Sequence, residues 1–309
     1  MDAPRHADLS SLVFTVPLPA DYALADVLRF HGRDRQGLSE VVTDAGLRKA
    51  VLLDGTPTVF DISVDATLTN ARCAVLADGP VTATMASEAR HIAASLLGLH
   101  IDPDAFVAFV AADPVFGPLS ARQRGLRIAQ SASIFEALTW AIMGQQINVA
   151  FAVTLRRSFV QLAGRPHSSG LICYPVATDA ARLDVEALTA RQFSRTKAET
   201  LLRLSATVAS GELDLQARPD NPLDGICTAL LGIKGIGPWT VNYALLRGYG
   251  HPDCSLHGDV AVRAAIAALW GHEARPDIAA TDAFLQRYRP HRTMAAAHLW
   301  ASLNKTSAY

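Results

Sequence analysis

The chain has 309 residues, more than the roughly 100–200 of a typical domain, so two domains are expected. Half of the residues are apolar and 18% are charged, a balance that excludes intrinsic disorder and low-complexity fibres. The formal charge of −1 conceals an asymmetry: residues 1–120 hold 8 basic and 15 acidic side chains, and residues 121–309 hold 20 and 14.

The N-terminal run Met-Asp-Ala-Pro-Arg-His lacks the basic-then-apolar order of a secretory signal, so a cytoplasmic protein is expected. Leu12 to Leu18, Val59 to Val64 and Ala71 to Leu76 read as strands. In the second, Phe60, Ile62 and Val64 alternate with Asp61 and Ser63. Ser87 to Gly98 reads as a helix, with Ala89, Ile92, Ala93, Leu96 and Leu97 on one stripe and Gly98 in the stop position. These elements predict a small antiparallel sheet covered by a helix or two. The four cysteines, Cys73, Cys173, Cys227 and Cys254, form no C-x-x-C pair, so neither a disulfide framework nor a structural metal site is expected.

From about Ile101 the apolar spacing becomes three and four, and the second part reads as all-α. Ser133 and Glu136 have the S-x-x-E form of a capping box, which starts a helix carrying Phe135, Leu138 and Ile142. Ala137 to Leu155 is uncharged, but Gly144, Gln145, Gln146 and Asn148 at its centre suit two buried helices meeting at a turn, not a membrane span. Further helices are expected over 147–162, 197–208, 223–231, 239–247, 260–270, 281–288 and 293–303. The fold class is therefore α+β: a mixed domain over 1–115 with a small antiparallel sheet, then a helical domain over 116–309.

Residues 121–203 carry 11 basic side chains against 5 acidic ones. That surplus suits either a polyanion or an ordinary solvated surface. The run Leu231-Gly232-Ile233-Lys234-Gly235-Ile236-Gly237-Pro238-Trp239-Thr240 reads as a tight turn between two helices, with Pro238 in the first turn of the second. Amides at a helix N-terminus can hold a phosphate, although such turns are also plain connectors.

The run G-I-K-G-I-G-P-W-T-V-N-Y resembles the helix-hairpin-helix of the DNA base-excision glycosylases, here at about 222–248. Asp259 lies 20 positions beyond Trp239, where that superfamily carries a catalytic aspartate. F-E-A-L-T-W-A-I-M-G-Q-Q-I-N (135–148), I-C-Y-P (172–175), R-T-K-A (195–198) and H-L-W (298–300) are similar to the branch that removes alkylated purines, the 3-methyladenine DNA glycosylase II family. The resemblance runs from about residue 87 to 303.

It implies a base-excision enzyme that rotates a damaged nucleotide out of duplex DNA and hydrolyses its N-glycosidic bond. Asp259 would stabilise the oxocarbenium-like sugar or orient the attacking water. On local grounds Asp259 is also a helix N-cap, and the two readings are compatible. Trp239 stands where strand-cleaving relatives carry a lysine nucleophile, so a monofunctional enzyme leaving an abasic site is implied. Trp239, Tyr243 and Trp300 would form the base pocket, where a cationic base gains from aromatic faces; core packing is the alternative. Gln146 or Ile147 would fill the gap in the duplex.

Lys234, Gly235, Gly237, Thr240, Arg195 and Lys197 would meet DNA phosphates. The resemblance also implies a monovalent cation on the backbone carbonyls of Leu231, Ile233 and Ile236. No cysteine follows Cys254, so no iron–sulfur cluster is expected, and no cofactor is required. The expected partner is double-stranded DNA containing damaged bases, met by a nucleoid-associated monomer that does not bind membranes. The acidic first domain is expected to lie away from the duplex. Two other readings stay open: a glycosylase of the same fold for a deaminated or oxidised purine, and a non-catalytic helix-hairpin-helix DNA-binding protein.

Overall fold

A two-residue period that puts Phe60, Ile62 and Val64 on one side of a strand requires a layer to bury them. The computed structural model, which describes residues 10–304, supplies that layer from five strands: β1 (Ser10–Pro17), β2 (Glu40–Thr43), β3 (Gly46–Leu53), β4 (Thr56–Val64) and β5 (Asn70–Ala77). Their order is β1-β5-β4-β3-β2, with every neighbouring pair antiparallel. β1, β4 and β5 are the expected strands; β2 and β3 are additional. Asp54 and Gly55 join β3 to β4 with φ of 48° and 73°, the left-handed pair that matches a hairpin to the twist of its strands. The N-terminal hexapeptide lies outside the described residues.

Helix α1 (Leu24–His31) precedes β2, and α2 (Ala83–Leu96) follows β5. Thr82 caps α2 by accepting from the Met85 amide. Met85, Ala89, Ile92, Ala93 and Leu96 of α2 then bury against Phe14, Phe60 and Ile62 of the sheet.

Twelve further helices follow among the described residues: α3 (Pro103–Phe109), α4 (Phe116–Arg122), α5 (Ile134–Gly144), α6 (Val149–Ala163), α7 (Ala177–Ala180), α8 (Val185–Thr189), α9 (Arg195–Ala209), α10 (Leu223–Gly232), α11 (Pro238–Ala244), α12 (Val260–Trp270), α13 (Ile278–Gln286) and α14 (Arg292–Asn304). A π-helical turn, Leu245–Tyr249, extends α11. The second part is not all-α: β6 (Arg165–Pro166) and β7 (Ile172–Cys173) form a two-stranded sheet. Leu171 and Cys173 bury against Ala50 and Val59 of the large sheet. The helices enclose two cores. One draws on α5, α6, α9, α10 and α11. The other joins Ile101, Phe106, Phe116 and Ile128 to Leu246, Leu256, Ile266 and Leu299.

Sheet and helices are joined by buried charge. Lys49 of β3 is 1% exposed and donates to Glu40 of β2 at 2.8 Å and to Glu136 of α5 at 2.7 Å. Arg156 of α6 reaches the same two carboxylates at 3.1 and 3.0 Å. These cations hold Glu40 and Glu136 below the usual carboxylate range against the opposing pull of burial. The capping box is therefore only half formed. Ser133 accepts from the Glu136 amide, but the Glu136 carboxylate takes the Ala132 amide and the buried cations.

All four cysteines are free thiols. Among the described residues, no helix is long and apolar enough to cross a membrane, and no cluster of His, Cys, Asp or Glu is suited to a metal ion.

Candidate active site

The hairpin brings two helices to one end of a cleft. Its turn, between α10 and α11, needs glycine at 235 for two reasons. Gly235 has φ of 98°, which side chains other than glycine rarely adopt. A Cβ there would also lie 2.0 Å from Thr200 Oγ1. The neighbouring Lys234 carbonyl accepts from Thr200 Oγ1 and from Arg203 Nη1, which hold the turn on α9. Gly237 is the N-cap of α11 and Pro238 its first residue. The amides of Trp239 and Thr240 in that first turn have no intrahelical acceptor and suit an anion.

α11 carries Trp239 and Tyr243 on one face, with ring centroids 5.4 Å apart and planes at 36°. Trp239 is half-buried and Tyr243 buried. Asp259 is the N-cap of α12. Its Oδ1 accepts from the amides of Ala261 and Val262, each at 2.9 Å. Two indoles complete its setting: Trp300 Nε1 donates to Oδ1 at 3.1 Å and Trp239 Nε1 to Oδ2 at 3.0 Å. Capping and site geometry thus reside in one carboxylate. Oδ1 has three donors and Oδ2 one, so Oδ2 retains acceptor capacity for a further group.

All four residues line a cleft of about 1410 Å³. Gln145, Gln146, Ile147, Gly235, Gly237 and Thr240 line it too, so the cleft runs between the hairpin and the loop after α5. In that loop Gln146 is exposed with φ of 56°, a left-handed conformation that costs about 1 kcal/mol or more outside glycine. Ile147 instead rests half-buried on the core around α5 and α6. Asn148 caps α6 by accepting from the Phe151 amide.

Several expected phosphate ligands have side chains engaged by other groups of the protein. The Thr240 side chain is buried and accepts from Gln145 Nε2, which also donates to the Gly235 carbonyl. Lys197 turns inward, where its ammonium meets backbone carbonyls of α5 and the following loop. Burial pulls Lys197 down to about 8. Arg195 is exposed beside Glu186 and Glu199, at 3.8 and 3.9 Å. Lys234 is exposed on the turn itself. Of the three carbonyls linked to a monovalent cation, Ile233 already accepts the Ile236 amide, which leaves its second lone pair.

Other residues of the cleft were not among the expected site residues. Phe30 and Arg33, at and just beyond the end of α1, line the cleft, as do Arg127 and Trp140. The acidic first domain is therefore not remote from the site, because α1 forms one of its walls. Arg247 is buried, and its guanidinium lies 4.3 Å from the Phe30 ring centre and 5.6 Å from that of Trp300. Its Nη1 donates to the Ala129 carbonyl, while its Nε has no partner. Burial lowers it to about 10, opposed by Tyr243 and reinforced by the nearby positive charge of Arg33. Arg247 follows Tyr243 by four residues, as Tyr243 follows Trp239, so helical spacing alone could have placed it on this face.

Residues 139–290 match the family model of the HhH-GPD superfamily base excision DNA repair protein. That stretch, about half of the chain, is similar to that superfamily. Among its relatives, a DNA-3-methyladenine glycosylase of Bacillus subtilis (strain 168) is 31% identical over 174 residues, 55% of this chain and 57% of the relative. DNA-3-methyladenine glycosylase 2 of Escherichia coli (strain K12) is 30% identical over 186 residues, 60% of this chain and 63% of the relative. This chain thus spans less than two thirds of the length of each. A solved 3-methyladenine DNA-glycosylase from Archaeoglobus fulgidus superposes with a TM-score of 0.78 at 21% identity, covering 96% of this chain and all of that one, so the two share a fold.

Proposed function

We propose that the chain is a monofunctional DNA glycosylase of base-excision repair that hydrolyses the N-glycosidic bond of alkylated purines of the 3-methyladenine type. The observation that carries this reading is the Asp259 carboxylate, held by two amides and two indoles in an aromatic cleft beside the hairpin.

Breaking the bond leaves positive charge on the sugar. A fixed carboxylate stabilises that charge mainly in the transition state. Oδ2, with a single donor, is the oxygen that faces the sugar or the attacking water, while Oδ1 anchors the group. Trp239 offers no amine for a Schiff base, which supports hydrolysis without strand cleavage. The first-turn amides of α11 and the exposed Lys234 would hold phosphate. A base still stacked in a duplex is out of reach of a carboxylate inside the cleft, so the nucleotide is extruded and Gln146, exposed at the loop tip, fills the gap. The Leu231, Ile233 and Ile236 carbonyls would hold the monovalent cation, which would offset phosphate charge.

One observation favours a second reading. Arg247 already occupies a cationic position near Trp300, and its Nε has no hydrogen-bond partner among the described residues. A neutral purine with a carbonyl acceptor, such as a deaminated base, would be accepted there without repulsion. Incubating the protein with methylated duplex DNA and with hypoxanthine-containing duplex, then measuring free base, tests both. Release of 3-methyladenine supports the first reading, preferential hypoxanthine release supports the second, and release of neither refutes both readings.

A further inference from the structure

Lys197 lies in the first turn of α9, at the positive end of that helix, where a cation gains nothing from its own helix dipole. Its ammonium instead closes the far end of α5. It donates to the carbonyls of Ile142 at 3.3 Å, Met143 at 2.7 Å and Gln145. Those carbonyls belong to the last turn of α5 and the residue after it, where a helix C-terminus leaves carbonyls without intrahelical partners; the Ile142 carbonyl also accepts the Gln145 backbone amide at 3.4 Å. All three donor positions of the ammonium are thus engaged.

The residue that follows is Gln146, exposed and left-handed. A second brace holds the same loop from the other side, since the Gln145 amide donates to the Gly235 carbonyl and to Thr240 Oγ1 of the hairpin. The loop is therefore fastened to α9 and to the hairpin at Gln145, immediately before the residue whose backbone is left-handed.

We propose that Lys197 is a positioning residue for base extrusion: by gathering three carbonyls it locks residues 145–147 in the shape in which Gln146 enters the duplex. This rests on the glycosylase reading above. It assigns Lys197 no contact with DNA. Its work is done before the encounter, by sparing the loop the ordering that insertion would otherwise require.

The test compares wild type, Lys197→Met and Lys197→Arg in single-turnover base release from one lesion placed either in a fully paired duplex or in an unpaired bulge. Lys197→Met is expected to lose at least tenfold in the paired duplex and less than threefold in the bulge, and Lys197→Arg to recover part of the loss. Hydrogen exchange over residues 142–149 should quicken at least fivefold in Lys197→Met. Equal losses on both substrates would overturn the proposal. So would a slope of log Kd against log salt that is smaller by about one in Lys197→Met, the signature of a lost phosphate contact. Unchanged exchange overturns it even without a catalytic assay. Absence of base release by the wild type on every substrate is a different outcome, which sinks the glycosylase reading instead.

Discussion

Trp239 Nε1 donates to Asp259 Oδ2 across 3.0 Å, joining the first turn of α11 to the N-cap of α12 over a separation of 20 residues. The contact makes an aromatic of the proposed base pocket also a support of the acidic group. Trp239→Phe keeps the ring and removes the donor. A hydrogen bond to a charged group contributes about 1.5–3 kcal/mol, so the chemical step is expected to slow by roughly tenfold or more. KM should change little. Single-turnover and steady-state kinetics separate the two, and a change confined to KM would show that the indole only stacks.

On the second reading, Arg247 would set a charge preference in the cleft. Replacing it with methionine removes the cation near Trp300 and Phe30 and should raise the ratio of 3-methyladenine to hypoxanthine release several-fold. Competition between the two lesions in one reaction measures that ratio. An unchanged ratio would restrict Arg247 to holding the Ala129 carbonyl.

The buried charges between sheet and helices contribute to stability in a way that one substitution exposes. Lys49→Met leaves Glu40 and Glu136 facing each other with Arg156 as their remaining strong cation. Breaking such a set typically costs about 3–5 kcal/mol. The midpoint of urea denaturation should fall accordingly, and a loss under about 1 kcal/mol would show that the network rearranges.

His298 should make the protein acid-sensitive. Its ring is buried and stacked on Phe106 at 5.2 Å, and burial pulls it down to about 4. The unfolded chain takes up this proton near pH 6.5, the folded chain only near pH 4. Between those values the unfolded state binds more protons, so stability falls as pH drops from about 6.5 to 4, by roughly 3 kcal/mol in all. Thermal unfolding across that range checks this against His298→Asn, whose acid limb should be flatter.

Where function and local pattern coincide, the site was legible. α12 begins at Val260 as expected because Asp259 is a strong cap before an apolar helix. The hairpin stands out because its glycines and Pro238 have backbone reasons to be there. β3 was not legible: Arg48 and Lys49 interrupt its apolar run. Lys49 can be buried only because Glu136, 87 residues later, arrives beside it. Phe30 and Arg33 reach the cleft through domain packing, which no local spacing encodes. Lys197 looks like a surface cation in sequence, and only the position of the α5 C-terminus turns it inward.

The decisive measurement is single-turnover base release by Asp259→Asn on methylated duplex DNA, paired with its denaturation midpoint. Asparagine caps a helix about as well as aspartate, so stability should stay within about 1 kcal/mol of wild type while the rate falls at least a hundredfold. A variant that releases 3-methyladenine at the wild-type rate would leave Asp259 as a cap alone and contradict the account.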